Sequence, residues 1–187
     1  MNFILASGSP RRKELMEMLG VKNLKIIPAK GEEKPQDGAS PEDLVMALAA
    51  AKAEEVAAQA GEDDVVVAAD TIVWLDGRPF GKPHSREEAV RMLSMLSGRE
   101  HEVITGVTVR DCCREETFSD VTYVTFKTFT AEEIDYYVDT CKPYDKAGAY
   151  GIQEWIGYIG TTDMRGSFYN VMGFPVHRVY RELQCFL

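Results

Sequence analysis

The sequence predicts an α/β fold, a central and mostly mixed sheet flanked by helices, and three observations carry that prediction. Short β-branched runs alternate with helical patterns, the helical patterns open on capping residues, and some neighbouring extended runs are joined by turns too short for a crossover. The 187 residues, 45% apolar and 27% charged, are expected to form a single globular domain over residues 1–187, and the composition is neither disordered nor fibrous.

Phe3 to Ala6 reads as a strand and Ser7-Gly8-Ser9 as a tight loop. A helix follows, with Ser9 as N-cap, Pro10 in its first turn, Leu15, Met18 and Leu19 on its apolar face, and Gly20 just past its end. Leu24 to Ile27 is strand-like. A second helix starts at Ser40-Pro41-Glu42-Asp43 and runs through an alanine-rich stretch to Gly61. Val65 to Val73 is a buried strand interrupted by Asp70, Asp76-Gly77 is a tight turn, and Ser85-x-x-Glu88 is a capping box whose helix stops at Gly98. Glu102 to Val109 and Thr117 to Phe129 are extended and joined by a polar turn at Asp111 to Glu116. Thr130-x-x-Glu133 is a second capping box, and its helix must stop before Lys142-Pro143. A glycine-rich section from Gly148 to Gly173, expected to hold a hairpin, leads into a last helix from Pro175 to about Leu187.

A formal net charge of −9 argues against a general nucleic-acid binder, which needs basic surface to neutralise phosphates. The charge is uneven: residues 1–30 carry six basic side chains against two acidic ones, whereas residues 31–64 carry ten acidic against two basic. The longest uncharged apolar stretch, Leu44 to Ala51, falls far short of the roughly 20 residues a membrane span needs. Met1 to Leu5 lacks the basic start of a secretory leader, so the expectation is a soluble, cytoplasmic chain with no membrane partner. Four cysteines without a CxxC and three histidines without ligand spacing argue against zinc and against a disulfide framework.

Arg11, Arg12 and Lys13 occupy a first helical turn, where the helix dipole disfavours cations by roughly 0.3–1 kcal/mol each. The placement suits a bound anion, with backbone N–H groups, the Ser7 to Ser9 loop and two guanidinium forks around a phosphate chain; the alternative is a solvated basic turn. Asp70 lies in an otherwise apolar strand, so it needs a cation, hydrogen-bond donors or a metal, unless it merely caps a turn at a strand end. Lys52 shares a face with Leu44, Leu48 and Val56, and either reaches into a cleft or snorkels to solvent. Lys82, in Gly81-Lys82-Pro83, reads by itself as part of a surface loop. The acidic pair Glu32-Glu33 is either a solvated loop or, near a phosphate site and Asp70, a ligand for Mg²⁺ or Mn²⁺. Tyr144 to Gln153 reads as a structured loop.

Together these segments resemble the Maf family of nucleotide pyrophosphatases over nearly the whole chain. The matching pieces are Leu5 to Leu15, Ala69-Asp70-Thr71, Gly81-Lys82-Pro83, Leu96-Ser97-Gly98 with His101 and Thr105-Gly106-Val107, Asp145 to Gln153, and Asn170 to Gly173 before Pro175. The resemblance implies hydrolysis of nucleoside triphosphates to the monophosphate and pyrophosphate with a divalent cation, in a two-lobed α/β fold with a cleft, as a homodimer. Asp145 to Gln153 resembles the branch acting on dTTP and UTP. Asp70 then matches the general base, and Arg11, Thr71 and Gln153 match positions associated with base choice. The amide of Gln153 offers an acceptor and a donor to the N3–H and O4 shared by uracil and thymine. On this reading Glu33 and Asp70 hold Mg²⁺ or Mn²⁺, Arg12, Lys52 and Lys82 offset phosphate charge, and Ser7 and Lys146 contact substrate. Glu154-Trp155-Ile156 departs from many relatives, which carry a glycine after the glutamine. The rival readings are a nucleotidyltransferase and a nucleotide-binding regulator of cell division without turnover.

Overall fold

The computed structural model describes residues 2–31 and 39–186 of the chain. Strands β1 (Asn2–Leu5), β2 (Leu24–Ile26), β3 (Asp64–Leu75), β4 (Arg78–Phe80), β5 (Glu100–Arg110), β6 (Glu115–Phe126) and β7 (Thr161–Arg165) form one mixed sheet. Its order is β2-β1-β3-β5-β6-β7, with β4 paired to β3. The helices are α1 (Pro10–Met18), α2 (Pro41–Ala57), α3 (Arg86–Leu96), α4 (Ala131–Cys141), α5 (Trp155–Gly160), α6 (Phe168–Val171) and α7 (Val176–Leu183). The mixed α/β architecture expected from the sequence is therefore present. Among the described residues, no helix is long and apolar enough to cross a membrane.

The chain divides into two compact units. The first comprises Met1–Asp70, Thr105–Asp120 and Gly173–Leu187. Its β1 lies between β2 and β3, parallel to both, with Leu5 opposite Ile26 and Val67. Strands paired on both sides and covered on their faces read as continuous apolar runs, as Phe3 to Ala6 and Val65 to Ala69 do. Helix α2 buries Val45, Ala49, Ala53 and Val56, a stripe of small side chains that lets its backbone approach closely. The approach is tightest at Gly106 of β5, where a Cβ would overlap the carbonyl of Val45.

The second unit comprises Thr71–Ile104 and Val121–Met172. Its core gathers Val73, Leu75, Phe80, Leu93, Leu96, Phe126, Tyr137 and Ile156. Asp76 and Gly77, at φ 52° and 73°, turn β3 back into β4, the two-residue geometry that an Asp-Gly pair favours. Thr130 and Glu133 form a complete reciprocal capping box at the start of α4. At α3 the box is only half made: Ser85 caps the Glu88 amide, while the Glu88 carboxylate takes the amide of His84.

Further local expectations differ from what is found, beginning with the second helix, which buries Val45, Ala49, Ala53 and Val56 rather than the face of Leu44, Leu48 and Lys52. The buried face of α1 is Leu15 and Met16, with Leu19 half-buried and Met18 69% exposed. The stripe is thus 12, 15, 16, 19, which sets Arg12 on the inward side and turns Met18 outward. The section 148–173 forms no hairpin of its own; it holds α5, α6 and one strand, β7, whose partner is the distant β6. A lone strand pairing outside its own segment leaves no turn signal to read.

Candidate active site

In the first unit, the parallel register Leu5 to Val67 brings the exit of β1 and the stretch of β3 around Asp70 to the same end of the sheet. Ser7 and Asp70 are both buried there, 9% and 6% exposed. Ser7 Oγ accepts from the Ser9 amide at 3.2 Å and from Arg12 Nη1 at 3.2 Å. Arg12, brought inward by the α1 stripe, also donates from Nη1 to the carbonyl of Ala69 at 2.8 Å and from Nε to that of Gly173 at 2.8 Å. One guanidinium thereby ties the Ser7 loop to the residue before Asp70 and to the chain entering α7. Arg11, beside it on the first turn, is half-buried.

Lys52 lies at the margin of the apolar stripe of α2 and extends to Asp70, Nζ to Oδ1 2.5 Å. Of the two alternatives, snorkelling to solvent is not the one found: the ammonium turns inward and balances the carboxylate inside the first unit. An apolar strand accommodates Asp70 for that reason, since a buried charge is tolerated when it is paired and hydrogen-bonded. Ser7, Arg12, Lys52 and Asp70 thus belong to one assembled group. Glu33, the second expected metal ligand, lies outside the described residues.

In the second unit, Thr71 follows Asp70 on β3 and is half-buried, and Lys82 is exposed in the loop after β4. The carbonyl of Gly81 accepts from the Gly148 amide at 3.0 Å, which fastens the Lys82 loop to the Ala147–Ala149 3₁₀ turn. Lys146 is buried, and its Nζ lies between two carboxylates, 2.8 Å from Asp145 Oδ1 and 3.0 Å from Glu154 Oε1. Gln153 is half-buried, but its Oε1 is enclosed and has no hydrogen-bond partner among the described residues. A buried acceptor of this kind costs about 1–3 kcal/mol unless a ligand satisfies it.

Two motif residues support structure rather than chemistry. His101, 2% exposed, bonds Tyr150 OH through Nε2 at 2.8 Å, and burial pushes its pKa down to about 4. Asn170 spends Nδ2 on the Val103 carbonyl at 3.1 Å and Thr122 Oγ1 at 2.9 Å. Sequence reasoning missed Tyr137, which donates to Glu154 Oε2 and accepts the Gly151 amide at 3.0 Å. The only signal was Glu154 itself, a carboxylate directly after the glycine-rich loop.

The class follows from the sequence that builds this fold: the chain belongs to the Maf-like protein family, which matches residues 2–186. Among individual proteins, it is 50% identical over 182 residues to the dTTP/UTP pyrophosphatase of Phocaeicola vulgatus, covering 97% of this chain and 94% of that one. It is 48% identical over 186 residues to the protein of the same name from Porphyromonas gingivalis, covering 98% and 93%. Its fold is similar to that of a HAM1 protein from Coxiella burnetii, with a TM-score of 0.54 at 16% identity over 98% of each chain.

Proposed function

We propose that this chain is a nucleoside triphosphate pyrophosphatase that hydrolyses dTTP and UTP to the monophosphate and pyrophosphate. The observation that carries the reading is the Lys52–Asp70 pair: a carboxylate in the middle of an apolar strand, oriented by an ammonium at 2.5 Å, beside a loop fit for phosphate. The family and the names of the relatives agree with it.

In this reading Asp70 positions a water against the α-phosphorus and takes its proton as the new P–O bond forms. The bond from the α-phosphorus to the bridging oxygen breaks, and pyrophosphate leaves. Lys52 fixes the orientation of Asp70 through Oδ1. Ser7, Arg11 and Arg12 are assigned to the phosphates, with Arg12 also shaping the loop through its bonds to Ser7, Ala69 and Gly173. Lys82 is assigned to the phosphates as well. The unsatisfied Oε1 of Gln153 is assigned to the N3–H of the pyrimidine, with Thr71 assisting base choice. Lys146, shared between two carboxylates, is assigned to the loop rather than to a phosphate.

A divalent cation belongs to the proposal. The carboxylate of Asp70 supplies hard oxygen donors, and one or two carboxylates with substrate phosphates make up a common Mg²⁺ or Mn²⁺ donor set. Asp70, with Glu33 as second ligand, would hold the ion, which supplies charge neutralisation at the phosphates. A net charge of −9 supports a small polyanion bound with its own cation over nucleic acid. A cytoplasmic homodimer, with residues 1–187 acting as one functional domain, completes the reading.

The test is product analysis with dTTP and UTP, reading monophosphate and pyrophosphate separately. Asp70→Asn keeps size and still accepts from Lys52, so the fold is expected to survive while turnover drops by about 10²–10⁴. Near-normal turnover in that variant would remove Asp70 from the mechanism.

A further inference from the structure

We infer that Glu154 is the positioning residue of the base-reading loop, holding the backbone that presents the Gln153 amide. The inference rests on the reading of Gln153 as the group that recognises the base.

The loop begins at Asp145 and ends at Glu154, the residue before α5. The two oxygens of Glu154 divide their work. Oε1 receives Lys146 Nζ at 3.0 Å, closing the start of the loop onto its end. Oε2 receives the hydroxyl of Tyr137, a fully buried residue of α4, and that hydroxyl in turn accepts the Gly151 amide at 3.0 Å. One carboxylate therefore fastens the loop at its start, its middle and its end.

The backbone between these ties needs such fastening. Gly148 and Ala149 are both left-handed, at φ 68° and 60°, and alanine enters that region only at a cost. Gly151 is required by the same device: a Cβ there would lie 2.9 Å from Glu154 Cδ, displacing the carboxylate. The Glu154 amide also donates to the Gly151 carbonyl at 3.0 Å, so Gln153 sits inside a closed turn. Its Oε1 stays enclosed without a partner among the described residues, a state that an unrestrained glutamine would leave by turning to water. Fixing the amide matters because glutamine is ambiguous: turned one way it suits uracil, and turned the other it suits cytosine, which presents an N4 amino donor in place of O4.

The experiment measures kcat and KM for UTP and CTP with Mg²⁺ in the unsubstituted protein and in Glu154→Ala, Glu154→Gln and Tyr137→Phe, alongside melting curves. The unsubstituted protein is expected to prefer UTP. Glu154→Ala is expected to shrink the UTP-over-CTP ratio of kcat/KM by about tenfold or more, mainly through a higher KM for UTP. Tyr137→Phe, which leaves Lys146 and Glu154 paired, should move the ratio the same way by less, and Glu154→Gln should recover part of it. An equal fall for both nucleotides, or an unchanged ratio in folded Glu154→Ala, overturns the proposal. If Glu154→Ala does not fold, the ratio in Tyr137→Phe decides alone. Absence of a UTP preference in the unsubstituted protein overturns the reading of Gln153 instead, and the inference falls with it.

Discussion

At the scale of single residues, His101 shows how burial settles a role. Its pKa lies near 4 against an ordinary 6.5, so the folded state binds its proton less readily than the unfolded chain. The stability it supports is complete above about pH 6.5 and is lost as pH falls towards 4. Melting temperatures between pH 7 and pH 5 are expected to decline, and His101→Phe, which retains a ring against Phe126 and Tyr150, should flatten that decline. Lys52→Ala is expected to cost ~3 kcal/mol, because it leaves Asp70 buried and uncompensated. Denaturant unfolding reads that loss, and Lys52→Ala combined with Asp70→Asn should restore part of it. The need for a partner at Asp70 is legible from sequence, since an acid inside Val65 to Val73 demands one. Which partner answers it is not, because helical spacing admits both an inward and a solvent-directed Lys52.

At the scale of elements, capping chemistry and turn residues carry most of the information, and they are local. The Asp76-Gly77 turn and the Thr130 capping box follow from their own few residues. What escapes is set by partners far along the chain: the strand character of Thr161–Arg165 depends on β6, and the inward face of α1 depends on what Leu15 and Met16 meet. Gly106 is a case where a motif residue serves packing. With the Val45 carbonyl against the space of its missing Cβ, Gly106→Ala should displace α2 from β5 and cost about 1–3 kcal/mol. A fall in the urea midpoint at unchanged slope would register this, and a midpoint equal to that of the unsubstituted protein would show that the helix yields freely.

At the scale of the whole molecule, the proposed function sets a −9 chain against a polyanion and calls for compensating charge brought by a cation. Exhaustive chelation is therefore expected to abolish pyrophosphate release, with Mg²⁺ or Mn²⁺ restoring it; activity that persists after chelation contradicts that dependence. The fold class and the basic helix start after β1 are readable from sequence because they reside in contiguous motifs. The tie of Arg12 to Gly173, 161 positions away, is not, because no local pattern records a bond between chain ends.

The packing of Trp155 supplies the molecule with an optical reporter of its own. The chain has two tryptophans. Trp155 stands two positions after Gln153 and edge-on to Tyr136 at 4.8 Å, whereas Trp74 sits in β3 opposite Pro79. Emission from an indole responds to small changes in its surroundings, so occupancy of the base-reading loop should alter the fluorescence without any label. The change on adding UTP should persist in Trp74→Phe and vanish in Trp155→Phe, giving a titration that needs no turnover.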